Sequence, residues 1–160
     1  MLKMLKLNNI FTIGIETKTE KFDVCKENGA EFSVSPMEND LNNKITDYTH
    51  GNDLDVVIDF VSSKSSLELG ASILGKGGRL VTLGGSGEQF LANSADMLVK
   101  ELEFIGSRYC TKQELKESLD LYARGLIKPL VSHKTDINGA EELHNKIETG
   151  DITGRAGILI

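Results

Sequence analysis

The run Asp55-Val56-Val57-Ile58-Asp59-Phe60-Val61 constrains the fold more than any other part of the chain. Its β-branched and aromatic residues favour extended backbone. The lack of polar–apolar alternation marks a strand expected to be covered on both faces, as in a parallel sheet. Parallel strands cannot be joined by tight turns, so such a strand demands crossover segments on either side. The sequence supplies them. Strand-like runs at 10–16, 31–35, 79–83 and 103–106 alternate with helical patterns at 17–28, 40–50, 65–74 and 91–100. Thr17 or Thr19 is expected to cap the first of these helices, with Asn28-Gly29 as its stop. Leu41, Ile45 and Tyr48 share a face of the second, which Gly51 ends, and Gly75-Lys76-Gly77-Gly78 is expected to break the third from the following strand. The alternation predicts an α/β fold with an open, doubly wound parallel sheet.

Beyond residue 108 the character changes. Gln113–Arg124 is an amphipathic helix with Leu115, Leu119, Leu121 and Tyr122, stopped by Gly125. Extended residues 129–132, a helix over 138–149 and a terminal strand over 154–160 follow.

Composition excludes several classes. The net charge of −6 provides no basic field for a phosphate backbone, which argues against nucleic acid as a partner. No apolar run reaches the ~20 residues that cross a bilayer. Lys3 and Lys6 begin a basic, apolar start that Asn8 and Asn9 cut short of a signal-peptide core. Cys25 and Cys110 form neither a disulfide framework nor a C-x-x-C zinc motif, and a cytoplasmic location is expected.

In doubly wound sheets ligands lie at the carboxyl ends of the strands. Glu16 closes the 10–16 run, where a carboxylate can accept from both hydroxyls of an adenosine ribose and repels a 2′-phosphate, favouring NAD over NADP. Lys21, a turn later, could donate to the same ribose. Glu16 is equally well read as an acid favoured by a helix N-terminus. Gly84-Gly85-Ser86-Gly87 and Gly106-Ser107 follow strands and let backbone approach a ligand, or are plain flexible loops. Arg155, between Gly154 and Ala156-Gly157, suits bidentate phosphate capture or is a surface arginine. On the residues alone these alternatives stay open.

Other signatures fail. Gly70–Lys76 has P-loop spacing, but residue 77 is Gly and the segment ends a helix. There is no G-x-G-x-x-G and no G-x-S-x-G, and His50, His133 and His144 are scattered. No catalytic or metal-binding constellation can be assembled.

Taken in order, Ile13-Gly14-Ile15-Glu16, Lys21-Phe22, Glu27-Asn28-Gly29-Ala30, Asp55–Asp59, Lys76-Gly77-Gly78-Arg79-Leu80-Val81 and Gly154-Arg155-Ala156 resemble the C-terminal half of a medium-chain dehydrogenase/reductase of the zinc-type alcohol dehydrogenase family. Residues 104–111 and 125–129 extend the resemblance over essentially the whole chain. It implies a Rossmann-like sheet lacking its first, central strand, with a partial NAD-binding domain over 1–108. Residues 109–160 would be a C-terminal segment returning toward a catalytic domain. Glu16 and Lys21 would hold the adenosine ribose, and Phe60, Val61 and Ser62 would line the adenine side. Leu83, Ser107 and Tyr109 would meet the nicotinamide amide through backbone groups, beside Gly84, and Arg155 would meet the diphosphate. The glycine fingerprint and the zinc ligands would precede Met1, and residues 1–7 would be the end of the helix that follows the fingerprint.

The chain alone would then not be catalytic. With the central strand missing, its sheet should divide into pieces with unpaired inner edges, making it poorly stable or dependent on association. The expected partners are a nicotinamide cofactor and either a second copy or a chain supplying the missing half. An S-adenosylmethionine-dependent methyltransferase shares the acidic ribose residue and the Asp-Val-Val-Ile strand. That class, a zinc-free quinone or enoyl reductase, and a non-catalytic fragment or interaction module are the competing readings.

Overall fold

The computed structural model describes all of residues 1–160. In chain order the elements are α1 (Leu2–Leu7), β1 (Ile13–Ile15), α2 (Phe22–Glu27), β2 (Phe32–Val34), α3 (Leu41–Tyr48), β3 (Leu54–Asp59) and α4 (Lys64–Ile73). There follow β4 (Leu74–Thr82), α5 (Ser94–Lys100), β5 (Glu103–Gly106), α6 (Lys112–Ala123), β6 (Val131–Thr135), α7 (Ala140–Glu148) and β7 (Arg155–Ile158). Short 3₁₀ turns lead into α2 and α7. The chain forms two compact units, residues 36–111 and residues 1–35 together with 112–160.

The continuous unit is built on the parallel sheet β3-β4-β5. Leu67 from α4 meets Leu74 and Leu80 from β4 in its core, and Val57, Ala71, Phe90, Leu102 and Phe104 pack around them. Phe90 and Phe104 stand edge to face with centroids 5.7 Å apart, an arrangement suited to the ring quadrupoles. The start of α4 is fixed by a capping box in which Ser63 and Ser66 satisfy each other's backbone amides. At its end, Lys100 Nζ donates to the carbonyls of Ser72 (3.2 Å) and Leu74 (2.8 Å).

The discontinuous unit holds two parallel pairs, β1-β2 and β6-β7. Val34 and Ala30 are buried beside β1-β2, and Ser33 Oγ donates to the Phe22 carbonyl at the start of α2 (3.2 Å). The N-terminal end of β1 is latched to the residue before β2. Thr12 N donates to the Glu31 carboxylate at 2.7 Å, and Glu31 N donates to the Thr12 carbonyl at 2.9 Å. In the second pair, α7 crosses over between β6 and β7 and buries Leu143.

The division of the sheet follows expectation: β1 hydrogen-bonds only to β2, and β3 only to β4. The pairing of the two tail strands with each other has no counterpart in the sequence reading. The compact units also cut the chain differently from a boundary at residue 108, because β1 and β2 fall with the tail.

Three local expectations are corrected. The 55–61 run is not covered on both faces: β3 ends at Asp59, Val56 is 47% exposed and Val61 65%. Val61 lies in the turn beyond the strand, and no element packs fully over Val56 on its side of the sheet. Gly75–Gly78 is no break, since α4 passes directly into the strand Leu74–Thr82, whose register against β3 shifts between Leu54 and Val56 to absorb the glycines. Neither Thr17 nor Thr19 caps α2. Lys21 occupies the N-cap position without a side-chain hydrogen bond, because the 3₁₀ turn Thr19–Lys21 carries the chain into the helix.

Candidate functional site

At the carboxyl end of β3 the chain makes a tight turn around Asp59. Its buried carboxylate accepts from Val61 N (2.8 Å), Ser62 N (2.9 Å) and Ser66 Oγ (2.7 Å). Ser62 takes a left-handed conformation with φ 56°, and the turn leaves Phe60 and Val61 exposed while Ser62 is buried. Beyond β4, Leu83 N donates to the Asp59 carbonyl at 2.8 Å, continuing the ladder past the strand. The next residue must be glycine, since a Cβ at Gly84 would lie 2.5 Å from the Val61 carbonyl oxygen and 2.7 Å from Ser62 Oγ. Ser62 Oγ is hydrogen-bonded to Thr82 Oγ1, and Ser86 Oγ donates to the Ser62 carbonyl. Past β5, Ser107 N donates to the Thr82 carbonyl at 2.9 Å. Tyr109 follows at φ 61° and is 85% exposed, and the Arg108 guanidinium lies 4.5 Å from its ring centroid. The structure therefore brings Phe60–Ser62, Leu83–Gly84 and Ser107–Tyr109 together at three adjacent strand ends of one sheet.

The other sequence-predicted residues lie in the discontinuous unit. Glu16 follows β1, and its amide donates to the Val34 carbonyl at 3.0 Å. One carboxylate oxygen, Oε1, accepts from Lys18 N (3.0 Å) and the Thr17 hydroxyl (3.2 Å); no protein donor occupies the other. Lys21 Nζ donates to the carbonyls of Gly150 (3.1 Å) and Ile152 (3.4 Å), in the turn between α7 and β7. An ammonium has three donors, so one remains for a ligand. Arg155 opens β7. Its amide donates to the Leu130 carbonyl at 2.8 Å, while its exposed guanidinium has no hydrogen-bond or ion-pair partner in the chain. Gly154 precedes it at φ 87°, and a Cβ there would collide with the Leu130 carbonyl oxygen.

Charge around these residues is uneven. Burial, and then the Glu16 carboxylate, push the Cys25 thiol above its ordinary value of 9.0. The Thr149 hydroxyl and then the Lys18 charge hold the Asp151 carboxyl below its usual value, with burial opposing them. Two residues escaped the sequence reading. Asp59 could have been found as an acid ending a strand before Ser62-Ser63-x-x-Ser66. Lys18 could not, because its contacts lie 131 and 132 positions along the chain. No group of three or more His, Cys, Asp or Glu is placed to hold a metal ion, so these residues do not fit a zinc site.

Parallel strands alternating with helices, in the sheets β1-β2, β3-β4-β5 and β6-β7, place the chain in the Rossmann-like α/β class. More particularly, the chain belongs to the zinc-binding dehydrogenase family, whose sequence profile matches residues 1–124. An NAD-dependent alcohol dehydrogenase of Sulfurisphaera tokodaii is 26% identical over 143 residues, covering 89% of this chain and 41% of the relative. A D-arabinose 1-dehydrogenase (NADP(+)) of Saccharolobus solfataricus is 27% identical over 151 residues, covering 93% of this chain and 42% of the relative. The crystal structure of the alcohol dehydrogenase from Aeropyrum pernix superposes with a TM-score of 0.87 at 26% identity, covering 97% of this chain and 44% of that one. The chain thus spans less than half the length of these relatives. Family membership decides against the methyltransferase alternative.

Proposed function

We propose that the chain is the NAD-binding part of an alcohol or polyol dehydrogenase of the zinc type. The observation that carries this reading is Glu16. It stands at the carboxyl end of β1 with a carboxylate oxygen open to a ribose hydroxyl, and that charge disfavours a 2′-phosphate. Lys21 adds its remaining donor, Arg155 takes the diphosphate, and Phe60, Val61 and Ser62 line the adenine. Backbone groups of Leu83, Ser107 and Tyr109, beside Gly84, hold the nicotinamide amide. A bound nicotinamide supplies hydride chemistry. Zinc, held by the catalytic domain of such an enzyme, would polarise the alcohol, and in this reading the present chain supplies cofactor binding without turnover of its own. In this reading residues 1–108 are the partial cofactor domain and 109–160 the segment returning toward the catalytic domain. The partner is a second copy or a chain carrying the zinc ligands, and the setting is cytoplasmic; no helix is long and apolar enough to cross a membrane.

Calorimetry with NADH, NADPH and S-adenosylmethionine tests the reading. NADH should bind at least about tenfold tighter than NADPH, Glu16→Gln should narrow that gap, and S-adenosylmethionine should not compete. Equal affinity for the two nicotinamides, or preference for S-adenosylmethionine, sinks it.

A further inference from the structure

The turn that delivers Arg155 is gripped by two side chains from the opposite end of the sequence. Lys18 Nζ donates to the carbonyls of Gly150 (3.0 Å) and Thr149 (3.4 Å) and stands 3.7 Å from the Asp151 carboxylate. Lys21 Nζ takes Gly150 and Ile152, so the carbonyls of 149, 150 and 152 are all claimed from the segment just after Glu16. These acceptors follow the C-terminus of α7, where the helix dipole is negative and the last carbonyls lack intrahelical partners. The ammonium groups are therefore well placed electrostatically. The ion pair with Asp151 adds little, because both partners are substantially solvent-exposed.

The grip has a direction. Lys18 is itself set by Glu16, whose carboxylate accepts the Lys18 amide at 3.0 Å. On the far side, the chain from Ile152 runs through Gly154, left-handed at φ 87°, to Arg155, whose amide is pinned to the Leu130 carbonyl. The turn is thus anchored at its start by the lysines and at its end by β6-β7 pairing. Arg155 leaves it with a guanidinium that nothing in the chain engages. Hydrogen bonds thus run from the carboxylate after β1 to the carbonyls of 149, 150 and 152, and the chain itself spans the last residues to Arg155.

We propose that Lys18 is a positioning residue for cofactor binding: through the carbonyls of Thr149 and Gly150 it fixes the turn that aims Arg155 at the ligand's diphosphate, in register with Glu16 at the ribose. The proposal rests on the reading of Arg155 as the diphosphate ligand. Lys18 spends its own donors on carbonyls and touches no phosphate. Its loss therefore acts through Arg155 and is confined to ligands that carry a diphosphate.

The test compares NADH, ADP and adenosine by calorimetry on the full chain in Lys18→Met, Lys18→Arg, Arg155→Gln and the double variant Lys18→Met/Arg155→Gln. Lys18→Met keeps most of the aliphatic stem of the side chain and removes its donors. It should weaken NADH and ADP about tenfold and leave adenosine within about twofold, while Lys18→Arg restores most of the loss. The double variant should bind no more weakly than Arg155→Gln, because both changes remove the same interaction. Hydrogen exchange over 150–155 should quicken in Lys18→Met with the rest of the chain unchanged, which separates a loosened turn from a failure to fold.

An equal loss for adenosine overturns the proposal, as does full additivity in the double variant. So does an unchanged Lys18→Met beside a weakened Arg155→Gln, which would leave the proposed function standing. Full ADP affinity in Arg155→Gln removes the diphosphate role itself and the proposal with it.

Discussion

The Ser62 amide donates to the Asp59 carboxylate at 2.9 Å, holding a left-handed serine against the end of β3. The same carboxylate takes the Val61 amide and the Ser66 hydroxyl, so a buried acid organises both the exposed turn and the cap of α4. Asp59→Ala should destabilise the chain by about 2–4 kcal/mol, because two amides and a hydroxyl lose their acceptor at a site that is 7% exposed. Asp59→Asn keeps an acceptor oxygen for the amides and should cost about 1 kcal/mol. Denaturant melts of the two variants check the order, and equal losses would show that the charge, not the hydrogen-bond count, matters.

Cys25 gives a pH dependence with a definite sign. Its thiol is raised above 9.0, so the folded chain keeps the proton at pH values where the unfolded chain has released it. Its contribution to stability is therefore complete below about 9 and is lost as pH rises through the folded value. The stability difference between the wild type and Cys25→Ser should be flat from neutral pH to about 9 and shrink above it. Chemical denaturation at a series of pH values reads this directly. Iodoacetamide at neutral pH should modify exposed Cys110 before Cys25, as mass spectrometry of a time course would show.

The free edge of β3 makes a third expectation concrete. Val56 is half exposed on a strand whose other edge has no partner, a template for pairing with another chain. Val56→Lys should shift the protein toward monomer in light scattering and cost less than about 0.5 kcal/mol of stability. Unchanged association would place the contact elsewhere.

What could be read from the sequence was set by how local the signal is. The strand Glu103–Gly106 falls where its apolar run and flanking residues put it, and the face formed by Leu41 and Ile45 is buried as its spacing demands. Gly75–Gly78 misled because glycine is a breaker only until a neighbouring strand supplies hydrogen bonds, here β3 through a shifted register. The helix expected from Leu91 starts at Ser94, because Asn93 accepts the amides of Ala95 and Asp96 and fixes the cap there. At the site, Glu16 was visible because strand ends and acids are both local features. The partners of Lys18 and Lys21 were not, since nothing near either residue encodes a turn at 149–152.

The discontinuity of one compact unit bears on the order in which the chain acquires structure. Residues 36–111 are contiguous, so their sheet can form as soon as that stretch exists. The other unit draws on residues 1–35 and 112–160, and its β6-β7 pair lacks a partner strand until Arg155–Ile158 are made. Joining its two parts closes a loop the length of the intervening unit, about 4 kcal/mol of chain entropy for a flexible segment. Prior folding of 36–111 shortens that loop. The segment carrying Glu16 must meanwhile wait, without its partners near Gly150, until residues 149–152 have been made.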